Sequence, residues 1–251
     1  MIEQTALDFY NQNKDCTWLM DPLPPGSILE QASWILNKSN FGWIELDIKI
    51  DTAGWQVEAS TINPWLVPHR EDNNSGWNSA CIHGIDVQYT GAWTNYGYTL
   101  EDKVPYHWTT LADNAPLVKR FWKHQFPSVR YRRIRWMELE AESAITPHSD
   151  MPGKLPGEEN FNALEFGVPI NVAVIHPDNC YMVLEGCGTV PFKEGKVFIV
   201  NIRKYHSVIN FGKTARVHVI GHSYGYDTKL EEFAELVVRS YNKQLTRSAN
   251  L

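Results

Sequence analysis

The stretch ITPHSDM, residues 145–151, places a histidine and an aspartate two positions apart. Successive side chains of a β-strand point to opposite faces, so His148 and Asp150 would point the same way on a strand. An imidazole and a carboxylate on one face supply two of the three ligands of the facial triad, which binds Fe(II) and leaves coordination positions open. Such a pair can also arise by chance in a solvated turn, and His176 and Asp178 form a second pair with the same spacing.

A third ligand decides between the two pairs. His206 lies in a predicted strand–turn–strand segment, 58 residues after His148 and 30 residues after His176. With strands of roughly five or six residues, the longer separation accommodates several intervening strands and their turns, whereas the shorter one is tight. The second pair also contains a proline and precedes an asparagine, which are typical turn residues. We therefore predict that His148, Asp150 and His206 form the metal triad and that the second pair forms a hairpin corner.

The arginine that follows the third ligand is a candidate for binding a carboxylate. Arg216 lies ten residues after His206, in a segment predicted to be a strand that runs back beside the strand of His206. This placement would put its guanidinium deep in the cavity that contains the metal triad. A guanidinium binds a carboxylate through two parallel hydrogen bonds, which a lysine does less specifically. The alternative is a structural ion pair between Arg216 and a carboxylate of the protein itself.

Composition excludes several classes of function. The chain has 251 residues and a formal net charge of −6, which argues against nucleic acid as the main partner. Ten tryptophans are consistent with a deep ligand cleft. We expect no secretory leader, because the first residues lack a basic start and an apolar run, and no stretch approaches the roughly 18 apolar residues of a membrane span. Four scattered cysteines without a CxxC pattern suit reduced thiols. We expect a cytoplasmic protein that does not bind a membrane, and the sequence leaves its oligomeric state open.

The second half of the chain has the pattern of a β-sandwich. Short apolar or alternating runs recur between turn residues, which is typical of a sandwich or barrel, and about eight strands suit a jelly roll. The predicted fold is mainly β, a cupin-like double-stranded β-helix with flanking α-helices. The predicted strands are residues 129–139, 144–150, 166–175, 180–185, 188–192, 196–202, 205–210 and 214–222.

The remaining elements are predicted to surround this core. We expect one domain over residues 1–251, with an N-terminal elaboration of helices and loops (1–128), a jelly-roll core (129–222) and a C-terminal helix (228–245). Within the elaboration, the patterns predict a helix capped by Ser27, a strand, a polar loop and a second helix that begins near a proline. Their predicted bounds are residues 27–36, 41–50, 69–79 and 115–125.

At this point the motifs resemble a known family. Besides the triad and Arg216, they are Trp77–Gly84, the strand from Val129 that leads to the first ligand pair, and the Arg-Val-His sequence at 216–218. From about Trp77 to His222 the chain is similar to the aspartyl/asparaginyl β-hydroxylase family of Fe(II)/2-oxoglutarate-dependent oxygenases, which includes free-proline hydroxylases.

The resemblance implies cofactors and residue roles. Fe(II) would be bound by the triad, 2-oxoglutarate would place its distal carboxylate on Arg216, and molecular oxygen would be the co-reactant. Where family members often have a histidine that assists this carboxylate, the chain has Asn171, which can donate a neutral hydrogen bond. His218 shares the strand face of Arg216, as does His222, and we expect His218 to line the pocket. The connector from Asp150 to Phe166 is longer than usual and would form a lid.

The substrate is less defined. Arg133 and Arg135 share a strand face and could bind a substrate carboxylate, or could form surface salt bridges. The loop-rich region before the core offers His83 as a further substrate-binding residue, together with Trp77, Trp93 and His107. The substrate would be a small molecule resembling an amino acid, or an Asp or Asn side chain of a peptide. Two alternatives to a dioxygenase are a non-oxidative cupin that binds a metal or ligand, and a tryptophan-rich binding module.

Overall fold

The computed structural model describes residues 2–69, 76–128, 130–150, 162–166, 168–223 and 229–248. Its strands are β1 (Trp43–Glu45), β2 (Val67–Pro68), β3 (Trp77–Gly84), β4 (His107–Trp108), β5 (Tyr131–Leu139), β6 (Ser143–His148), β7 (Pro169–Ile175), β8 (Cys180–Leu184), β9 (Gly188–Thr189), β10 (Val197–Val200), β11 (His206–Asn210) and β12 (Arg216–Ser223). Its α-helices are α1 (Gln4–Asn13), α2 (Ile28–Asn37), α3 (Thr52–Ala59), α4 (Pro116–Arg120), α5 (Ala163–Phe166) and α6 (Leu230–Ser248). Single turns of 3-10 helix occupy Asn63–Trp65, Trp93–Tyr96, Glu101–Lys103 and Thr110–Asp113, and a π-helical turn occupies Phe121–Gln125.

Two antiparallel sheets face each other. The larger sheet has the order β1-β10-β7-β12-β5-β3-β2, with β4 beside β3, and the smaller sheet has the order β6-β11-β8-β9. Apart from the hairpin of β8 and β9 within the smaller sheet, consecutive strands of the core alternate between the sheets, which is the topology of a double-stranded β-helix. Each of the eight runs predicted in the second half contains a strand, so the predicted fold is confirmed.

The core is divided by the larger sheet. Its outer face packs on the helices, where Ile134 and Trp136 of β5 are fully buried. Its inner face meets the smaller sheet, and there Leu139 and Phe198 pack with Met182 and Val208. Alternate residues of β5 therefore belong to two different cores, as the period of a strand requires. Helix α1 covers the outer face of the smaller sheet, where Ala6, Ala144 and Ile209 form a third cluster.

The flanking helices begin and end close to the predicted positions. Ser27 caps α2 through a capping box with Glu30, and the stripe of apolar residues on α6 packs into the core beneath the larger sheet. The helix predicted at 115–125 is α4, which continues into the π-helical turn.

Three details of the N-terminal region differ from the sequence-based expectations. The strand predicted at 41–50 shortens to β1, because its partner β10 has only four residues with which to pair. Residues 77–79, predicted as loop, begin β3 and pair with β5; residues 70–75 of that loop lie outside the described part of the chain. Residues 1–128 add strands to both ends of the larger sheet, with β1 at one end and β2, β3 and β4 at the other.

Two connections also differ from expectation. β12 does not lie beside β11, because β6 and β8 already occupy both edges of β11; the chain crosses to the larger sheet, where β12 pairs with β5 and β7. The turn that contains His176 and Asp178 is not a hairpin corner, since it joins β7 of the larger sheet to β8 of the smaller one.

A close approach fixes the centre of the larger sheet against the helical layer. A Cβ atom at Gly221 of β12 would overlap the ring atoms Cζ2 and Cη2 of Trp122, which is fully buried. The residues on either side, Ile220 and His222, line the cavity described below. Glycine at position 221 therefore lets an indole support the strand that carries part of the site.

We expect Gly221→Ala to lower the free energy of unfolding by about 1–3 kcal/mol, because overpacking displaces a buried ring. Urea unfolding followed by circular dichroism measures this loss. In a Trp122→Phe background the same substitution should be less costly, since the phenyl ring is shorter than the indole. An equal cost in both backgrounds would contradict the steric explanation.

Candidate metal centre and cavity

The predicted metal ligands meet where β6 ends and β11 begins. His148 and His206 are direct partners in the antiparallel pairing of these strands. Asp150 follows β6, and its backbone N–H donates to the carbonyl of Ile202 at 2.9 Å. One ligand atom of each residue lies within 4.8 Å of the other two, and the distance from Nε2 of His148 to Oδ1 of Asp150 is 3.9 Å. The structure thus brings the three residues together as one group.

Both histidines have the tautomer that a metal ligand needs. Nδ1 of His148 lies 2.8 Å from the carbonyl oxygen of Thr146, and Nδ1 of His206 lies 3.0 Å from that of Lys204. A carbonyl can only accept, so each Nδ1 carries a proton, and in the neutral imidazole this leaves the lone pair on Nε2. Backbone hydrogen bonds of this kind orient metal-bound imidazoles. Two imidazoles and one carboxylate are the donor set of non-haem Fe(II) sites, and these residues fit that ion.

A cavity of about 510 Å³ extends from the triad between the two sheets. Its deeper wall combines apolar side chains of both sheets, including Val200 of the larger sheet and Met182 and Val208 of the smaller one. Two buried polar residues of the larger sheet, Arg216 and Asn171, also line it and are 2% and 3% exposed. Arg216 is in the predicted cavity although its strand belongs to the other sheet.

Arg216 has no acidic partner among the described residues. Its Nη2 donates to Nδ1 of His218 at 2.8 Å, and its guanidinium carbon lies 5.9 Å from the ring centre of Phe192. Its Nε is buried and makes no hydrogen bond with any described residue. Burial lowers the pKa of Arg216 from its usual value. The alternative of a structural ion pair is therefore wrong for the described part of the chain, and the cationic group faces the cavity.

Of the two histidines of β12, His222 lines the cavity and His218 does not, the reverse of the expectation. His222 lines the cavity, and its buried Nδ1 has no hydrogen-bond partner among the described residues. His218 is fully buried behind Arg216, where its ring packs on Phe192. The expectation that His218 rather than His222 would line the pocket is wrong, because the imidazole of His218 is directed to Arg216.

Arg133 and Arg135 of β5 both line the cavity. Each donates from Nη1 to the carbonyl of Thr90 at 2.9 Å, and Arg133 also donates to the carbonyl of Gly91. Burial and the neighbouring Arg133 lower the pKa of Arg135 to about 9. Burial, and after it the same arginines, lower the pKa of His222 well below its usual value. This end of the cavity is therefore cationic, and neither arginine forms a surface salt bridge with a described carboxylate.

His83 does not reach the cavity. A β-bulge between Cys81 and His83 shifts the register of β3, so that His83 pairs with Ile134 and shares its outward face. The imidazole packs on Trp108, and Nδ1 lies 2.8 Å from the carbonyl oxygen of Arg132. Burial lowers the pKa of His83 to about 4. The expected contact of His83 with substrate is thus wrong, because a bulge reverses the side-chain direction.

Of the other predicted substrate-binding residues, some line the cavity and one does not. Trp77 and Trp93 line the cavity, whereas His107 is exposed. His69 and Arg132 also line the cavity, although no sequence pattern had indicated them. Arg132 belongs to the basic run of β5, but alternation would have directed it away from Arg133 and Arg135. The predicted lid falls mostly on residues 151–161, outside the described residues.

Comparison of the chain with known protein families identifies the family to which it belongs. The family described as aspartyl/asparaginyl beta-hydroxylase matches residues 55–223, more than half of the chain. The chain belongs to this family. It is accordingly a hydroxylase, as the motifs predicted. No curated protein matches the chain in sequence.

Solved structures with a similar arrangement are distant in sequence. A 2OG-Fe(II) oxygenase family oxidoreductase from Burkholderia pseudomallei is 12% identical, with 83% of this chain and 95% of that chain covered and a TM-score of 0.46. A prolyl-4-hydroxylase from Pseudomonas putida is 12% identical, with 80% and 100% covered and a TM-score of 0.42. The α-ketoglutarate-dependent epimerase SnoN from nogalamycin biosynthesis is 14% identical, with 80% and 88% covered and a TM-score of 0.44.

None of the helices in the described part of the chain has the length and apolar character needed to cross a bilayer.

We expect His148→Ala, Asp150→Ala and His206→Ala each to weaken Fe(II) binding at least about a hundredfold, since outer partners of metal ligands alone are worth roughly ten- to a hundredfold. Anaerobic calorimetric titration with Fe(II) measures the affinity, and circular dichroism reports folding. His176→Ala removes the second histidine–aspartate pair and should keep Fe(II) affinity, as should His124→Ala at an exposed histidine. Fe(II) binding that survives His148→Ala but is lost in His176→Ala would overturn the ligand assignment.

Proposed function

We propose that the protein hydroxylates an unactivated C–H bond of a small amino-acid-like substrate or of an Asp or Asn side chain, with 2-oxoglutarate as cosubstrate. The observation that carries the proposal is the pairing of two sites in one cavity. A triad of two histidines and one aspartate lies at the cavity wall, and a buried arginine without a described acidic partner lies deeper in it.

His148, Asp150 and His206 would hold the iron, and Arg216 would hold the distal carboxylate of 2-oxoglutarate. When bound, Fe(II) and 2-oxoglutarate supply the oxidising power that activates molecular oxygen toward a C–H bond. The apolar wall between the triad and Arg216 suits the methylene groups of the cosubstrate and excludes water from them. Asn171 lies on the neighbouring strand opposite Ile220 and lines the same cavity, where its amide would donate to the cosubstrate. Among these residues, Arg216 contributes charge and Asn171 contributes a neutral hydrogen bond.

The cationic end of the cavity supports an anionic group on the substrate. Arg133, Arg135 and His222 lie there, and Nε of Arg135 and Nδ1 of His222 are buried without described partners. Both atoms would gain a hydrogen-bond partner if a substrate carboxylate occupied this end. The volume of about 510 Å³ also has to contain 2-oxoglutarate, which favours a small substrate over a folded polypeptide.

We expect Arg216→Ala to weaken 2-oxoglutarate binding by roughly thirtyfold or more, because loss of a guanidinium from a buried carboxylate costs at least about 2 kcal/mol. Arg216→Lys should restore only part of the affinity, since an ammonium lacks the planar pair of donors. Calorimetric titration of the metal-loaded protein measures both. Arg239→Ala, at a half-exposed arginine on α6, is the matched control and should leave the affinity unchanged. Equal affinity in Arg216→Ala and in the unaltered protein would remove Arg216 from the cosubstrate site.

Turnover of the cosubstrate tests the proposed reaction without a guess about the substrate. We expect Fe(II)- and oxygen-dependent release of succinate, stimulated by members of a panel of free amino acids, small acids and Asp- or Asn-containing peptides. Stimulation by a free amino acid would support a small-molecule substrate, and stimulation by peptides alone would reverse that preference. If the iron-loaded protein binds no 2-oxoglutarate and releases no succinate with any panel member, the non-oxidative cupin alternative is favoured.

A further inference from the structure

Three side chains form a continuous hydrogen-bonded line behind the cavity. Nη2 of Arg216 lies 2.8 Å from Nδ1 of His218, and Nε2 of His218 lies 3.0 Å from Nδ1 of His176. Phe192 packs on both imidazoles, with ring centroids 4.7 Å from His218 and 5.4 Å from His176. The line connects the cavity wall to the turn between the two sheets. His218 and His176 are called the histidine pair below.

The direction of every hydrogen bond in this line is fixed by chemistry. Arginine can only donate, so Nδ1 of His218 must accept and carries no proton. A neutral His218 therefore has its proton on Nε2 and donates it to Nδ1 of His176. His176 in turn has its proton on Nε2. As the last residue of the line, His176 forms a hydrogen bond with the backbone of Cys180. Each member is thus held in one tautomer by the next.

The histidine pair is neutral at neutral pH. Burial and the charge of Arg216 lower the pKa of His176 to about 4 and that of His218 well below its usual value. A carboxylate in the place of His218 would also orient the guanidinium, but it would cancel the positive charge. The neutral imidazole accepts one N–H of Arg216 and leaves the full charge available to a ligand in the cavity.

A purely structural role would not explain why two imidazoles are buried at these positions. Apolar side chains would pack against Phe192 equally well and would avoid the burial of two imidazoles. An apolar residue at position 218 would leave Nη2 of Arg216 without its acceptor, in addition to the buried Nε that already has no described partner.

We propose that His218 and His176 are positioning residues that orient the Arg216 guanidinium toward the distal carboxylate of 2-oxoglutarate while preserving its charge. The proposal rests on the proposed function, in which Arg216 binds that carboxylate. It assigns a role to His176, whose His-x-Asp spacing matches that of the metal triad.

The test compares two ligands that differ only in the group that Arg216 would bind. 2-Oxoglutarate and 2-oxopentanoate have the same chain length, but the latter lacks the distal carboxylate. Both are titrated calorimetrically into the metal-loaded protein without oxygen. We expect His218→Leu to weaken 2-oxoglutarate about tenfold, as for loss of a hydrogen bond to a charged group, and to leave 2-oxopentanoate nearly unchanged. In turnover the KM for 2-oxoglutarate should rise while kcat at saturation stays close to its original value.

Two conservative variants refine the result. His218→Asn places an amide oxygen near the position of Nδ1 and should restore most of the affinity for 2-oxoglutarate. His176→Leu should produce a smaller loss than His218→Leu, and His176→Asn should restore it. Should His218→Leu fail to fold, the two variants at His176 carry the test. His83→Leu is the matched control, because His83 is equally a buried histidine with a backbone hydrogen bond but lies outside the cavity.

The possible results distinguish the positioning role of the histidine pair from the proposed function of Arg216. If neither His218→Leu nor His176→Leu changes 2-oxoglutarate affinity while Arg216→Ala does, the positioning role is overturned and the proposed function stands. Equal losses for both ligands would also overturn it, since they indicate a general structural defect. If the unaltered protein binds 2-oxoglutarate no better than 2-oxopentanoate, the proposed function itself fails.

Discussion

The antiparallel pairing of β6 with β11 is the constraint on which the site depends. It sets His148 directly opposite His206, and each imidazole is then fixed by a carbonyl two residues earlier in its own chain segment. A slip of one residue would turn a histidine to the outer face. That face is covered by α1, while β8 pairs with the other edge of β11, so the register is held from three sides. The candidate metal centre thus takes its geometry from strand pairing rather than from loops.

The second constraint is the burial of two guanidinium groups that form no ion pair with a described carboxylate. Arg216 and Arg135 are both buried on the larger sheet, and their polar contacts are with imidazoles and carbonyls. Such burial is costly in the absence of an anion, because desolvation opposes the charged form. A stable protein that retains two such cations is therefore well suited to anionic ligands, which relieve part of this cost when they bind. The two arginines would recognise different anions, since one lies among apolar side chains and the other beside Arg133.

Local patterns predicted the fold and the clustering of His148, Asp150 and His206 because both depend on alternation along single strands. The eight runs of the core, the spacing from His148 to His206 and the presence of Arg216 in the cavity all follow from such patterns. The errors have long-range causes. His83 turned outward because of a bulge against β5, and β12 joined the other sheet because both edges of β11 were occupied. His176 looked like an ordinary turn residue, since only the folded chain shows that it reaches His218.

One carbonyl oxygen has a consequence for how tightly any substrate anion is held. Thr90 accepts from both Arg133 and Arg135, so the loop that carries it occupies donors that an incoming carboxylate would use. At the Nη1 atom of each arginine an anion exchanges one acceptor for another, and the gain at these two donors is limited to the advantage of a charged acceptor over a neutral one. The exchange would also release the backbone around Gly91 from Arg133. Substrate entry and the conformation of that loop would thereby be coupled, and selectivity would be expressed as much in loop displacement as in direct contact.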